Sequence, residues 1–254
     1  MPYKIAQYGW VPDLPDQRDH LFTAAPATIR TLPQKVDLRS KCPPIYDQGQ
    51  LGSCTANGIG GCLEFDQMKQ KQRDVFTPSR LFIYYNERIM EGTATSDSGA
   101  QIRDGIKSVA QLGAPHEALW PYDLTKFAKK PPKTAYTDAK EHQAVSYQRV
   151  TRDLRQMQGC VAGGYPFVFG FSVYESFETQ LVADTGVAPM PAAGEQLLGG
   201  HCVAIVGYDD TKQRFIARNS WGTGWGMKGY FTMPYAYLLS RQLSSDFWTI
   251  RTIE

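Results

Sequence analysis

The run from Gln48 to Lys69 constrains this chain more than any other stretch. It begins as a loop, Gln48-Gly49-Gln50-Leu51-Gly52-Ser53, reaches Cys54, and continues with helical spacing. Ala56, Ile59, Cys62 and Leu63 recur three to four residues apart and form one apolar stripe, which predicts a helix over about 53–69. Ser53 stands where an N-cap belongs. Gly58, Gly60 and Gly61 lie inside that helix, each costing up to about 1 kcal/mol relative to alanine. Three such residues make sense where another element packs closely, so the helix is expected in the interior. Cys54 then sits at a helix N-terminus, where unpaired N–H groups and the positive end of the dipole favour thiolate over thiol.

The chain has 254 residues, enough for one large domain or two small ones, each with its own core. Hydrophobic residues make up 42% and charged residues 20%, the balance of a soluble globular protein. A net charge of +2 is too small to argue for nucleic acid or an anionic membrane. No stretch approaches the ~18 apolar residues of a membrane span. The N-terminus lacks the apolar core of a secretory signal, so the cytoplasm is the default compartment, and a monomer is expected. Five cysteines, Cys42, Cys54, Cys62, Cys160 and Cys202, leave at least one free thiol. The other four are buried thiols or form one or two disulfides. None shows C-x-x-C spacing, so no metal site is expected, and no cofactor.

Five prolines within residues 1–34 forbid a long helix there, and Trp10–Asp19 reads as extended. A second helix is predicted to start at Thr77-Pro78, with Leu81, Tyr85 and Ile89 on one face. A third carries Ile102, Ile106 and Val109 and ends at Gly113. The second half changes character. Thr151 can cap a short helix with Leu154, Met157 and Val161, and strands are predicted at 166–173, 202–208, 214–218 and 230–233. The chain therefore divides into an N-terminal extension (1–34), a mainly helical lobe with Cys54 (35–135) and a mainly β lobe (136–254). Such an α+β arrangement places a site between the lobes, where ligand sites favour interfaces.

Two further motifs belong with Cys54. His201 lies in Gly199-Gly200-His201-Cys202 ahead of an apolar strand, and Asn219 opens Asn-Ser-Trp-Gly-Thr-Gly-Trp-Gly. A thiolate at Cys54 is the expected nucleophile of an acyl transfer through an acyl-enzyme. His201 pairs with it as imidazolium and then protonates the leaving amine. The Asn219 side-chain carbonyl can accept the imidazole Nδ1–H and set the tautomer.

With the order Cys, His, Asn and the Gln-Gly-x-x-Gly-Ser-Cys approach, the chain resembles the papain-like cysteine peptidases, and within them a short bacterial branch. The resemblance runs from about Val36 to the last strands. It implies the two-lobed fold with helical and antiparallel β-rich halves and a cleft between them. It implies peptide-bond hydrolysis, with protein or peptide substrates. It gives Gln48 the oxyanion role, jointly with the Cys54 N–H, and gives Trp221 the task of shielding the Asn–His hydrogen bond. It assigns substrate walls to Ser98 and Gly99 on one side and Gly199 and Gly200 on the other, and counts Trp221 with the substrate-binding residues. Two departures stand out. Thr55 replaces the usual tryptophan after the nucleophile, and Leu51 replaces a cysteine that usually forms a disulfide. No inserted loop with paired histidines is evident, which favours an endopeptidase. A transglutaminase-like acyltransferase is the alternative, although its third member is usually Asp. Residues 1–34, with Tyr3, Tyr8, Trp10, Leu14, Leu21 and Phe22, are expected to cross or border the cleft around Tyr8–Asp19 and act as an inhibitor in cis, or else to strap the lobes together.

Overall fold

The computed structural model describes residues 7–253; Tyr3 lies outside them. The N-terminal stretch carries strands β1 (Trp10–Val11) and β2 (Leu21–Phe22), helix α1 (Pro26–Arg30) and strand β3 (Lys35–Asp37). Pro26 occupies the first helical position of α1, where its missing N–H leaves nothing unsatisfied.

Helix α2 runs Cys54–Gln70 and stops where Lys71 turns left-handed, with φ 54°. Then follow α3 (Arg80–Met90), β4 (Ala100–Gln101), α4 (Ile102–Leu112) and α5 (Lys133–Ala139). Gly113 closes α4 at φ 79°, as its position predicts. The start of α3 differs from the expected Thr77-Pro78. Ser79 is the cap, and its hydroxyl accepts from the Phe82 N–H at 3.2 Å. Ser53 borders α2 but makes no capping bond, because its hydroxyl pairs with Tyr122 and with Asn57 Nδ2. Ile89 reaches the surface at 52% exposure, so the apolar face of α3 ends one turn early.

The second half contains β5 (Ala144–Val150), α6 (Leu154–Ala162), β6 (Phe167–Tyr174) and α7 (Gln180–Thr185). It continues with β7 (Leu197–Asp209), β8 (Arg214–Arg218), β9 (Tyr230–Pro234), α8 (Tyr235–Leu239) and β10 (Ser244–Ile253). Asp153, rather than Thr151, caps α6 by accepting from the Gln156 N–H at 2.9 Å. The main sheet has the order β2-β5-β10-β6-β7-β8-β9, with β3 also pairing to β7. The β2–β5 pair is parallel and the others are antiparallel. Strands β5 and β10 were not anticipated. β10 opens Ser-Ser-Asp, bends at Asp246 (φ 60°) and breaks its register with β6, so it lacks a clean alternation. All five cysteines are free thiols.

The three glycines of α2 explain its place. Thirteen of its 17 residues are buried, so it is a core helix. A Cβ on Gly58 would lie 3.3 Å from Cys202 Sγ on β7 and 3.3 Å from Val168 Cγ1 on β6. Cβ atoms on Gly60 and Gly61 would press on Arg80 Cγ and Arg218 Nε, each at 3.3 Å. The helix therefore lies directly on the sheet. Gly58→Leu should destabilise the protein by at least about 1–3 kcal/mol through overpacking, read as a lower urea midpoint. An unchanged midpoint would contradict this contact.

Candidate active site

Cys54 is the first residue of α2, and the face of α2 that touches β7 brings it beside Cys202, the residue that follows His201. Both Cys54 and His201 are fully buried. His201 stands opposite Phe171 of β6 in the β6–β7 ladder. Asn219 follows β8, and its Oδ1 accepts from His201 Nε2 at 2.8 Å and from the Ser220 N–H at 2.9 Å. Nε2, and not the expected Nδ1, thus faces the asparagine. Nδ1 is left buried without a hydrogen-bond partner. A proton held on Nε2 by Asn219 leaves the Nδ1 lone pair available for the thiol proton. Trp221 stacks on the imidazole, with centroids 4.9 Å apart and planes 28° from parallel. It is 1% exposed and wedged against Phe177 and Trp225, so it shields His201 and offers no substrate surface.

Gln48 is buried, and its amide is held at both ends. Nε2 donates to the Leu51 carbonyl at 2.9 Å, and Oε1 accepts from Ser220 Oγ at 2.6 Å. An amide nitrogen carries two N–H groups, so one remains for a substrate oxygen. Backbone bonds join the same two loops, from Gln48 N to Ser220 O (2.9 Å) and from Gly222 N to Tyr46 O (3.0 Å). Ser220 escaped the sequence reading although it lies inside the Asn-Ser-Trp motif. Thr55 spends its hydroxyl on Glu87 Oε1 at 2.6 Å, a polar contact where the family has an indole. Burial pushes the Glu87 carboxyl well above the ordinary range, against the lowering effect of its Thr55 hydrogen bond.

The assigned walls are in contact with the protein's own N-terminal segment. Gly99 has φ 72°, and a Cβ there would lie 2.1 Å from the Gly9 carbonyl oxygen. The Ala100 N–H donates to that oxygen at 2.8 Å, and β1 pairs in parallel with β4. Ser98, half-buried, turns its hydroxyl onto the Gly99 carbonyl at 3.1 Å. Across the cleft, Cβ atoms on Gly199 and Gly200 would lie 2.7 Å from the Tyr8 side chain and 2.6 Å from Trp10. Tyr8 meets the His201 ring edge-on at 6.2 Å, and its hydroxyl donates to Glu178. Trp10 donates from Nε1 to Asp246 Oδ2 at 3.2 Å. Gly9, between these two aromatics, approaches most closely. A Cβ on it would lie 1.7 Å from the Gly52 carbonyl oxygen, two residues before Cys54.

This cover reverses the electrostatics expected of an exposed helix-terminus cysteine. Burial pushes the Cys54 thiol up to about 12, although the N–H groups of Cys202, Gly9 and Thr55 act to lower it. Burial also takes His201 down to about 4, against the raising effect of its Asn219 hydrogen bond. Burial thus favours the neutral thiol and the neutral imidazole over the ion pair.

A buried cysteine at a helix start, with a hydrogen-bonded His–Asn pair on the strand packed against that helix, fits the class of papain-like thiol hydrolases. The chain belongs to the papain family of cysteine proteases, whose profile matches residues 32–238, and is a cysteine peptidase. It is similar to xylellain, a cysteine protease from Xylella fastidiosa, in keeping with the bacterial branch expected. That crystal structure superimposes with a TM-score of 0.92 at 44% identity, covering 100% of this chain and 99% of the other. An uncharacterized peptidase C1-like protein of Acanthamoeba polyphaga mimivirus is 42% identical over 97% of this chain and 87% of its own length. Cysteine proteinase 1 of Entamoeba histolytica is 29% identical, over 79% of this chain and 63% of its own length.

The burial of Cys54 makes a labelling experiment direct. Iodoacetamide at pH 6 should modify Cys54 slowly in the full chain and much faster once residues 1–12 are removed. Equal rates in the two forms would mean that the segment neither covers nor neutralises the thiol.

Proposed function

We propose that this peptidase is an endopeptidase held latent by its own N-terminal segment, with Cys54 as nucleophile. In the open enzyme His201 Nδ1 takes the thiol proton, and the thiolate attacks the scissile carbonyl. The developing oxyanion receives the Cys54 N–H and the second Gln48 Nε2–H, a contact typically worth about 2.7–4 kcal/mol per donor. His201 then gives its proton to the leaving amine, and the thioester remains on Cys54. Water, deprotonated by His201, attacks that thioester and releases the acid product. Asn219 holds the imidazole in the productive tautomer throughout. Ser98-Gly99 and Gly199-Gly200 form the two walls along which a protein or peptide substrate lies.

The observation that carries the latent reading is the main chain of Gly9 crossing the start of α2 between Gly52 and Gly99. The rest of the extension supports a strap. Phe22 and Ala24 are buried in the sheet-side core, β2 pairs with β5, and Asp19 binds Arg103 at 2.6 Å and Arg149 at 2.8 Å. Plug and strap are therefore divided, with residues 7–13 belonging to the plug and residues 14–30 bound to the body. Gly9→Val, which cannot seat beside Gly52, should raise kcat/KM on internally cleaved fluorogenic peptides. Removal of residues 1–12 should do the same, with a lower thermal midpoint because Tyr8 and Trp10 pack against the core. Cys54→Ala in either background should be inactive. An added amine acceptor should form no adduct with the acyl group, whereas efficient adduct formation would favour an acyltransferase. No gain in rate from either change would remove the inhibitory role.

The hinge between plug and strap carries a pH dependence. The Asp13 N–H donates to Asp246 Oδ2 at 2.9 Å, and burial followed by the Asp246 charge pushes the Asp13 carboxyl up to about 6. Hydrogen bonds from the Arg103 N–H and from Trp248 Nε1 oppose that shift. A carboxyl raised in the docked state binds its proton more tightly there. Docking is therefore most favourable below about pH 4 and weakens as pH rises through about 6. The protection of Cys54, taken as the ratio of labelling rates without and with residues 1–12, should fall between pH 5 and pH 7.5 by a factor on the order of ten. A ratio that is constant, or that rises with pH, would contradict this.

A further inference from the structure

We propose that His116, Asp138 and His142 form a binding site for a divalent cation of the zinc class, separate from the peptidase site. The three side chains come from two stretches of the chain. His116 lies in a short bridge opposite Pro78, while Asp138 and His142 are four residues apart at and beyond the end of α5. One donor atom from each lies within 4.8 Å of the others. The backbone fixes this geometry. His142 N–H donates to the Ala139 carbonyl at 3.0 Å, the Ala114 N–H donates to the His142 carbonyl at 3.1 Å, and the His116 N–H donates to Asp138 Oδ2 at 3.0 Å. Phe76 stacks on His116 at 3.8 Å and meets His142 edge-on at 4.5 Å, which holds both rings.

The decisive contact is at His116. Its Nε2 lies 2.9 Å from Asp74 Oδ2, and its Nδ1 lies 2.9 Å from Asp138 Oδ2. An imidazole with its proton on Nε2 donates to Asp74 and points the Nδ1 lone pair at the Asp138 carboxylate. Two lone pairs at that distance repel unless a positive centre lies between them. That centre is either a second ring proton or a metal ion. A carboxylate accepting from the far nitrogen of a ligating histidine is the usual support for a metal-bound imidazole. His142 brings a third donor to the same side, for which a lone imidazolium–carboxylate pair has no need. Two imidazoles and one carboxylate suit zinc and its late first-row neighbours, and three protein ligands leave a position for water. The side chains of His116 and Asp138 are 27% and 26% exposed, so an ion can enter from solvent. The bound ion would tie the end of α5 to the stretch after α4 that carries His116, whose far nitrogen meets Asp74 of the α2–α3 connection. The cysteine spacing that argued against a metal site has no bearing on a cluster without cysteine.

The test uses full-length Cys54→Ala protein, which removes the one thiol expected to bind soft metals at the peptidase site. Titration with Co2+ should give visible ligand-field bands at one ion per chain, and Zn2+ should abolish them by displacement. His142→Ala removes a ligand at a partly exposed position and should weaken binding at least tenfold while the apo protein keeps its fold. Asp138→Asn should do likewise. Saturating Zn2+ should raise the melting temperature of the parent but not that of His142→Ala. Absence of bands up to millimolar Co2+ would overturn the proposal and leave His116 as an imidazolium clamped by two carboxylates. Bands of equal strength in His142→Ala would overturn it as well, by placing the ion elsewhere.

Discussion

The bare face of α2 against β6 and β7 is the contact on which the rest depends. At Gly58 there is room for no side chain between the helix axis and Cys202 Sγ. Cys202 follows His201 directly, so this approach sets the spacing between Cys54 at the helix start and His201 on the strand. A larger residue at Gly58 acts on the reacting pair as much as on the core. The helix gives up intrinsic propensity at three positions, and tertiary packing repays it. Packing, more than propensity, supplies most helical stability in folded proteins.

From that contact outward the site is assembled by loops that fasten to one another. Ser220 holds Gln48 by its hydroxyl while its backbone carbonyl accepts from the Gln48 N–H. The next residue back, Asn219, orients His201, and the next forward, Trp221, stacks on it. Three consecutive residues thereby fix the oxyanion donor, the base and its cover. On the other side Asp97 accepts from the Gly52 N–H at 3.0 Å and from the Tyr84 hydroxyl, which steadies the turn into Cys54. The family's usual disulfide partner and indole are Leu51 and Thr55 here, and buried hydrogen bonds occupy the space they leave.

The proposed latency has two physical parts that arise together. The segment excludes substrate by volume, since Tyr8, Gly9 and Trp10 occupy the two walls. It also dries the thiol and the imidazole, and desolvation moves each toward its neutral form, Cys54 up to about 12 and His201 down to about 4. An ion pair is stable in a cleft that water reaches and costly in one that it does not. On the proposed reading, uncovering the site restores access and charge in one step. The division between plug and strap lets this happen without loss of the fold, because the ion pairs of Asp19 and the burial of Phe22 lie beyond the plug.

Much of the site is legible in local sequence because its parts are local patterns. A cysteine opening a small-residue helix, a histidine at a strand of apolar residues and an asparagine before Ser-Trp-Gly each carry their own signal, and with them come α2, α4, β8 and the α+β class. What the sequence left open depends on partners far along the chain. β10 reads as polar and irregular until β5 and β6 flank it. Ser53 reads as a cap until Tyr122, far downstream, claims its hydroxyl. Gly9 reads as a loop glycine until Gly52 and Gly99 close on it from two sides. The choice of Nε2 over Nδ1, and the neutral state of Cys54 and His201, follow from ring orientation and from exclusion of water. Both are properties of the assembled interior, where distance and dielectric are set by every neighbour at once and by no single stretch of residues.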